Sequence, residues 1–113
     1  MRGETKQWLN TANYDIETAK HMFATGRYIY VIFMCHLAIE KVLKALVVEE
    51  TYRIPPKSHD LLLLADKAKV SLSTNFKEFI GIINTASIVT RYPEDITKLT
   101  KSLKITSKKQ RKL

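Results

Sequence analysis

Three ionisable side chains recur at four-residue intervals through the most apolar stretch of this chain. They are His36, Glu40 and Lys44, within YIYVIFMCHLAIEKVLKALVV (residues 28–48). On a helix that spacing stacks an imidazole, a carboxylate and an ammonium on one face. Such a set can hold a phosphate or move a proton. A Glu followed four residues later by a Lys is also an ordinary helical pair, contributing only about 0.2–0.5 kcal/mol when exposed. The setting adds weight to the stripe, because charge on a helix that is apolar all round must be paired or must face a cleft or partner. His36 reads either as a phosphate contact or proton acceptor, or as an imidazole hydrogen-bonded inside a helical interface. Lys41, beside the stripe, has Leu37 and Ala45 where a helical acid partner would stand, which makes it the better phosphate candidate.

A second set of chemistry-bearing residues lies further along. His59 falls at the start of an expected helix, where backbone N–H groups point outward and anions are favoured. Its simpler role is a hydrogen bond that ties down the preceding loop. Arg91 and Tyr92 close a later helix. Arginine there satisfies terminal carbonyls and the helix dipole, and its planar fork also suits phosphate or carboxylate. Antiparallel packing would gather Lys41, Lys44, His59 and Arg91 into one cleft. Ligand candidates are therefore those four with His36, Glu40 and Tyr92; the weaker catalytic candidates are His59, Arg91 and Arg53.

Other chemistries find no support in the sequence. The three glycines are scattered, so no phosphate loop is present. His21, His36 and His59 lack metal-ligand spacing, no Glu-x-x-His pair of the di-iron bundle type occurs, and no metal or cofactor is expected. The single cysteine, Cys35, excludes an internal disulfide and reads as a buried, inert thiol.

The net charge of +8 suggests nucleic acid until it is located. Residues 1–97 balance to +1, whereas residues 98–113 hold seven cations and no acid. The expected organisation is a nearly neutral helical body over 1–97 and a basic, disordered tail over 98–113. Such tails bind polyanions non-specifically and salt-sensitively. With no aromatic residue among the basic ones, base stacking is not expected. The polar N-terminus carries no signal-peptide pattern, and the longest apolar run, Tyr28–Cys35, is far short of the roughly 20 residues of a membrane span. These features point to a soluble, cytoplasmic protein.

Positioning these residues falls to helices. Glycine and proline are scarce, and 113 residues suffice for one domain. Leu9, Ala12, Ile16, Ala19 and Phe23 step by three and four through a first helix over 4–24, with Trp8, Asp15 and Met22 alongside and Asp15 on the rim. Gly26 stops that helix, and the short connection makes the second helix, 28 to about 50, its antiparallel neighbour. Pro55-Pro56 then enforces a loop. Ser58 predicts an N-cap for a third helix, from Asp60 to about Lys69, with Leu61, Leu64, Ala65 and Ala68 inward. Asn75 with Glu78 predicts a capped fourth helix ending near Arg91, with Phe76, Phe79, Ile80, Ile83, Ala86 and Ser87 inward. Pro93, Glu94 and Asp95 open a weak fifth with a stripe of Ile96, Leu99 and Leu103. The expected fold is all-α, an antiparallel up-and-down bundle of four main helices plus that fifth.

CHLAIEKVLKALVV, KSHDLLLLADKA and TRYPED, in this order and spacing, together with the Trp8, Ala12, Asp15, Ala19 line, resemble the HEPN domain over about residues 5–97. That resemblance implies a small helical bundle with proposed nucleotide binding. It also implies a homodimer, often encoded beside a minimal nucleotidyltransferase, and in some cases a toxin–antitoxin pair. Catalytic members carry an Arg followed four to six residues later by a His, in a late helix, and cleave RNA with the two. Here Arg91 is followed by no His, and the formal match, Arg53 to His59, lies in the Pro-Pro loop. The family's longer closing helix is replaced by the lysine-rich end. The expectation is a HEPN-like protein that binds a nucleotide or RNA phosphate and acts with a nucleotidyltransferase partner, leaning away from enzyme chemistry. The alternatives are a metal-independent ribonuclease toxin and a non-catalytic protein–protein interaction bundle.

Overall fold

Helix boundaries in this protein are set by local stop and start signals. The computed structural model describes residues 1–89 and contains α1 (Gly3–Ala24), α2 (Tyr28–Thr51), α3 (Leu61–Lys67) and α4 (Thr74–Val89), with no strand among the described residues. The proposed fifth helix, Arg91, Tyr92 and the basic tail lie outside the described residues.

Gly26, at φ 75°, ends α1 in the left-handed conformation, and the Arg27 and Gly26 N–H groups return to the Met22 and Phe23 carbonyls at 2.8 and 3.1 Å. The same paired hydrogen bonds close α3, from Val70 to Ala65 and from Lys69 to Asp66, both at 3.0 Å. There the left-handed position is filled by Lys69, at φ 58°, and α3 stops two residues earlier than its sequence suggests. Tyr52, at φ 61°, also ends α2 in the left-handed conformation, but with a single bond, from its N–H to the Val48 carbonyl at 3.0 Å.

The caps differ from the sequence reading in two places. Asp60, not Ser58, is the N-cap of α3: its carboxylate accepts from the N–H groups of Leu62 and Leu63, and the Ser58 hydroxyl instead accepts from the Asp60 N–H. Ser73, not Asn75, caps α4, accepting from the Phe76 N–H at 3.2 Å. In both, the cap stands immediately before the first helical residue, where the unpaired N–H groups begin.

α2 is the central element. Among the described helices α1 packs on α2 alone, while α3 and α4 pack on α2 and on each other. The α1–α2 pair is antiparallel. Thr5 at the start of α1 donates to Glu49 at the end of α2 (2.7 Å), and Asp15 meets Lys41 halfway. Phe23 lies edge-on to Tyr28 at the turn. That register brings Ala12 near the level of Ala45 and Ala19 near Ala38, all almost fully buried, and small side chains let the axes approach closely. On the other side of α2, Leu43, Leu61, Leu64, Ala65, Ile80 and Ile83 form the apolar core.

Two predicted faces are corrected by this arrangement. The buried line of α1 is Thr5, Ala12, Asp15 and Ala19, whereas Phe23 is 65% exposed and Ile16 also lies at the surface. Touching only α2 among the described helices, α1 is covered by them along a narrow stripe, and the Asp15–Lys41 pair holds Asp15 inward from the rim. On α4, Ile80, Ile83 and Ser87 are buried as expected, but Phe76 and Phe79 are exposed. No residue of Tyr28–Cys35 is fully buried, although this is the most apolar run of the chain. Cys35 is half-buried, and burial pushes its thiol pKa up. No described helix is long and apolar enough to cross a membrane.

Candidate functional site

The charged stripe of α2 is the polar seam of the molecule, and each of its members has a partner. His36, buried on α2, donates from Nε2 to the Asn84 Oδ1 of α4 at 3.2 Å; a ring nitrogen facing a carbonyl oxygen must carry the proton. Asn84 also receives the Leu61 N–H at 3.5 Å and donates to the Asp60 carboxylate at 3.4 Å. One amide side chain thus joins α2, α4 and the first turn of α3.

Glu40 sits four residues on, its side chain only 5% exposed. Its Oε1 accepts from His59 Nδ1 at 2.6 Å, and its Oε2 lies 3.4 Å from Lys44 Nζ. Both carboxylate oxygens are therefore engaged, which is what a buried charge requires. Lys44 is itself buried, and its ammonium lies 5.6 Å from the centroid of the Trp8 ring of α1, within cation–π range.

His59 contrasts with its partner. Its side chain is 65% exposed, on the loop between α2 and α3. With the proton on Nδ1 directed at Glu40, Nε2 has no protein partner among the described residues. A carboxylate that fixes the tautomer and plane of an imidazole is the arrangement by which proteins orient a histidine for proton transfer or anion contact.

The remaining sequence candidates separate from this cluster. Lys41 does have an acid partner, but across the helix pair: its Nζ lies 2.7 Å from Asp15 Oδ2. No donor is aligned for a hydrogen bond on that oxygen, so charge alone holds the contact. A rule that looks only four residues along one helix cannot see such a partner. Arg53 lies beyond the end of α2, its backbone N–H on the Thr51 hydroxyl, and among the described residues nothing joins its guanidinium to His59. The structure brings together His36, Glu40, Lys44 and His59, directly or through Asn84, and leaves Lys41 on the α1 side.

Asn84 is absent from the sequence candidates, yet a signal for it exists. It follows Ile83 and stands four residues after Ile80 on the face that the apolar residues of α4 turn inward, where an amide needs a polar partner. Among the described residues no group of three or more His, Cys, Asp or Glu side chains could hold a metal ion.

Compared with known proteins, residues 5–110 match the family model of the HEPN domain. The chain belongs to the HEPN domain family. No curated protein and no solved structure matches the chain. The HEPN match takes in all four described helices almost completely, so the seam lies inside the domain, on α2, α3 and α4.

Proposed function

We propose that this HEPN domain binds a phosphate of a nucleotide or RNA at the exposed edge of its polar seam, and that it acts with a nucleotidyltransferase partner in a toxin–antitoxin-like module. The observation that carries this reading is the Glu40–His59 pair: a buried carboxylate orients an exposed imidazole whose Nε2 has no protein partner among the described residues. A protonated imidazole held in this way offers an N–H to a phosphate oxygen, and Glu40 stabilises its charge. Lys41 and Lys44, already answered by Asp15 and Glu40, are fixed in place and contribute through their field rather than as free hands. HEPN domains often dimerise, and the half-exposed apolar run Tyr28–Cys35 on the long second helix supports a homodimer through that surface.

The same pair favours a second reading, a metal-independent ribonuclease. In the neutral ring Nε2 is a base of fixed orientation, able to take a proton from a ribose hydroxyl while Arg53 or Arg91 steadies the phosphate. One set of variants separates the readings. Nucleotide binding requires that ATP or GTP raise the melting temperature of the wild type and that His59→Ala remove the rise. Ribonuclease action requires growth arrest on expression and RNA cleavage, both abolished by His59→Ala. If neither nucleotide shifts the wild type and RNA is untouched, the domain is a protein–protein adaptor whose seam fixes helix register.

A further inference from the structure

A second concave surface shares only Arg53 with the residues assigned above and contains none of the seam residues His36, Glu40, Lys44 and His59. A groove of about 480 Å³ opens where α2 and α3 both end, within the usual size range of ligand pockets. Val47, Ile54 and Pro56 supply its apolar lining, and Arg53, Lys67 and Lys69 stand around it. Ile54 is 85% exposed among the described residues. None of the three cations has an ion-pair partner among the described residues, in contrast to Lys20, Lys41 and Lys44. Glu50 is the one acid of the lining.

We propose that this groove docks an acidic, extended segment of a partner protein, one that presents a carboxylate beside an apolar side chain. The charge balance selects the occupant. Three cations face one carboxylate and the C-termini of two helices, each equivalent to about half a negative charge, so the excess is about one positive unit. That matches a carboxylate better than a doubly charged phosphate. At α3 the Leu64, Ala65 and Asp66 carbonyls are already answered by the Ala68, Val70 and Lys69 N–H groups, so it is the last turn of α2, beyond the Val48 carbonyl that takes the Tyr52 N–H, to which a peptide can add N–H donors. The apolar lining needs a side chain to cover it, which a peptide supplies in the same segment. Residues 98–113 hold seven cations and no acid, so their charge does not complement the groove.

The test uses the full chain and a short fluorescein-labelled peptide of alternating Glu and Leu, followed by fluorescence anisotropy. The wild type binds it, and Arg53→Gln/Lys67→Gln weakens binding roughly tenfold through two lost charge contacts. Lys69→Gln weakens it in the same direction, and Lys20→Gln/Arg27→Gln, exposed near the α1–α2 turn at the opposite end of α2, leaves it unchanged. A peptide with Gln for Glu does not bind. Equal affinity for the wild type and the groove variants would place the binding on the basic tail and overturn the proposal. Displacement of the peptide by inorganic phosphate would overturn it in favour of a phosphate site. A change in oligomeric state on Arg53→Gln/Lys67→Gln would overturn it in favour of a second copy of this chain. All the substituted side chains are exposed, and an unchanged melting curve checks that the fold is intact.

Discussion

Glu40 and His59 are joined by a 2.6 Å hydrogen bond that spans 19 residues of chain and links the most buried charge of α2 to an exposed ring on the following loop. The bond has two consequences. It gives one oxygen of a desolvated carboxylate a donor, and it pins the segment that leads into α3. Since Lys44 takes the other oxygen, the stability of the seam rests on Glu40 more than on any other member.

Glu40→Leu is therefore expected to cost about 3–5 kcal/mol, because it leaves the buried Lys44 ammonium without its counter-charge. Adding Lys44→Met should recover a large part of that loss, since a buried ion pair replaced by apolar side chains of similar size is often close to neutral. Urea unfolding of the two variants measures this. A double variant as unstable as the single one would show that the pair is not the source of the effect.

Asp15 and Lys41 should respond unequally. Removing the lysine strands a carboxylate that is 9% exposed, while removing the aspartate leaves an ammonium that is 20% exposed and can reach water along its own stem. Lys41→Met is expected to destabilise by about 2–3 kcal/mol and Asp15→Asn by roughly 1 kcal/mol, readable from the same unfolding curves.

Glu49 supplies a pH dependence of definite sign. The hydrogen bond from the Thr5 hydroxyl, then that from the Arg2 backbone N–H, hold its carboxyl below the ordinary value. A folded pKa below the unfolded one adds stability above the unfolded value of about 4.3 and loses it as pH falls further. Glu49→Gln should consequently flatten the decline of melting temperature in acid, and Thr5→Val should do so in part. A slope identical to wild type in both variants would exclude this origin.

The apolar core and the outer face of α4 should differ sharply. Leu64 and Ile80 are fully buried, so Leu64→Ala or Ile80→Ala is expected to cost about 3–4 kcal/mol. Phe79, although larger, is 46% exposed, and Phe79→Ala should cost about 1 kcal/mol in the isolated monomer. Measuring both under dimerising and dilute conditions shows whether that face is covered in an assembly.

Much of this fold is legible in the sequence, because local chemistry decides it. Gly26, the Pro-Pro loop and the long apolar run place the turns and the central helix to within a residue or two. The Leu61, Leu64, Ala65 and Ala68 face of α3 is found as expected. What is not legible is which side of a helix meets a neighbour when its apolar surface exceeds what one partner can cover. Leu9, Ile16 and Phe23 form a regular stripe, but α1 has a single neighbour among the described helices, and the Asp15–Lys41 pair sets its rotation. The polar stripe and a place for His59 beside it are visible in the sequence; the Asn84 partner of His36 and the Asp15 partner of Lys41 are not, because each comes from another helix. Asp60 and Ser73 displace the expected caps for a simpler reason, in that several adjacent residues could serve and position decides among them.

Among the described helices α1 contacts only α2, to which a turn of three residues between Ala24 and Tyr28 joins it. In kinetic language, that pair closes the shortest loop among the described helices and uses the most local contacts, so of these it has the lowest entropic barrier to forming first. The hairpin would then present α2 as a prepared template, on which α3 and α4 settle through Leu43 and the seam. Hydrogen exchange should reveal two cooperative units, with the α3–α4 half opening at lower free energy than the hairpin that carries the Ala12, Ala19, Ala38 and Ala45 contact.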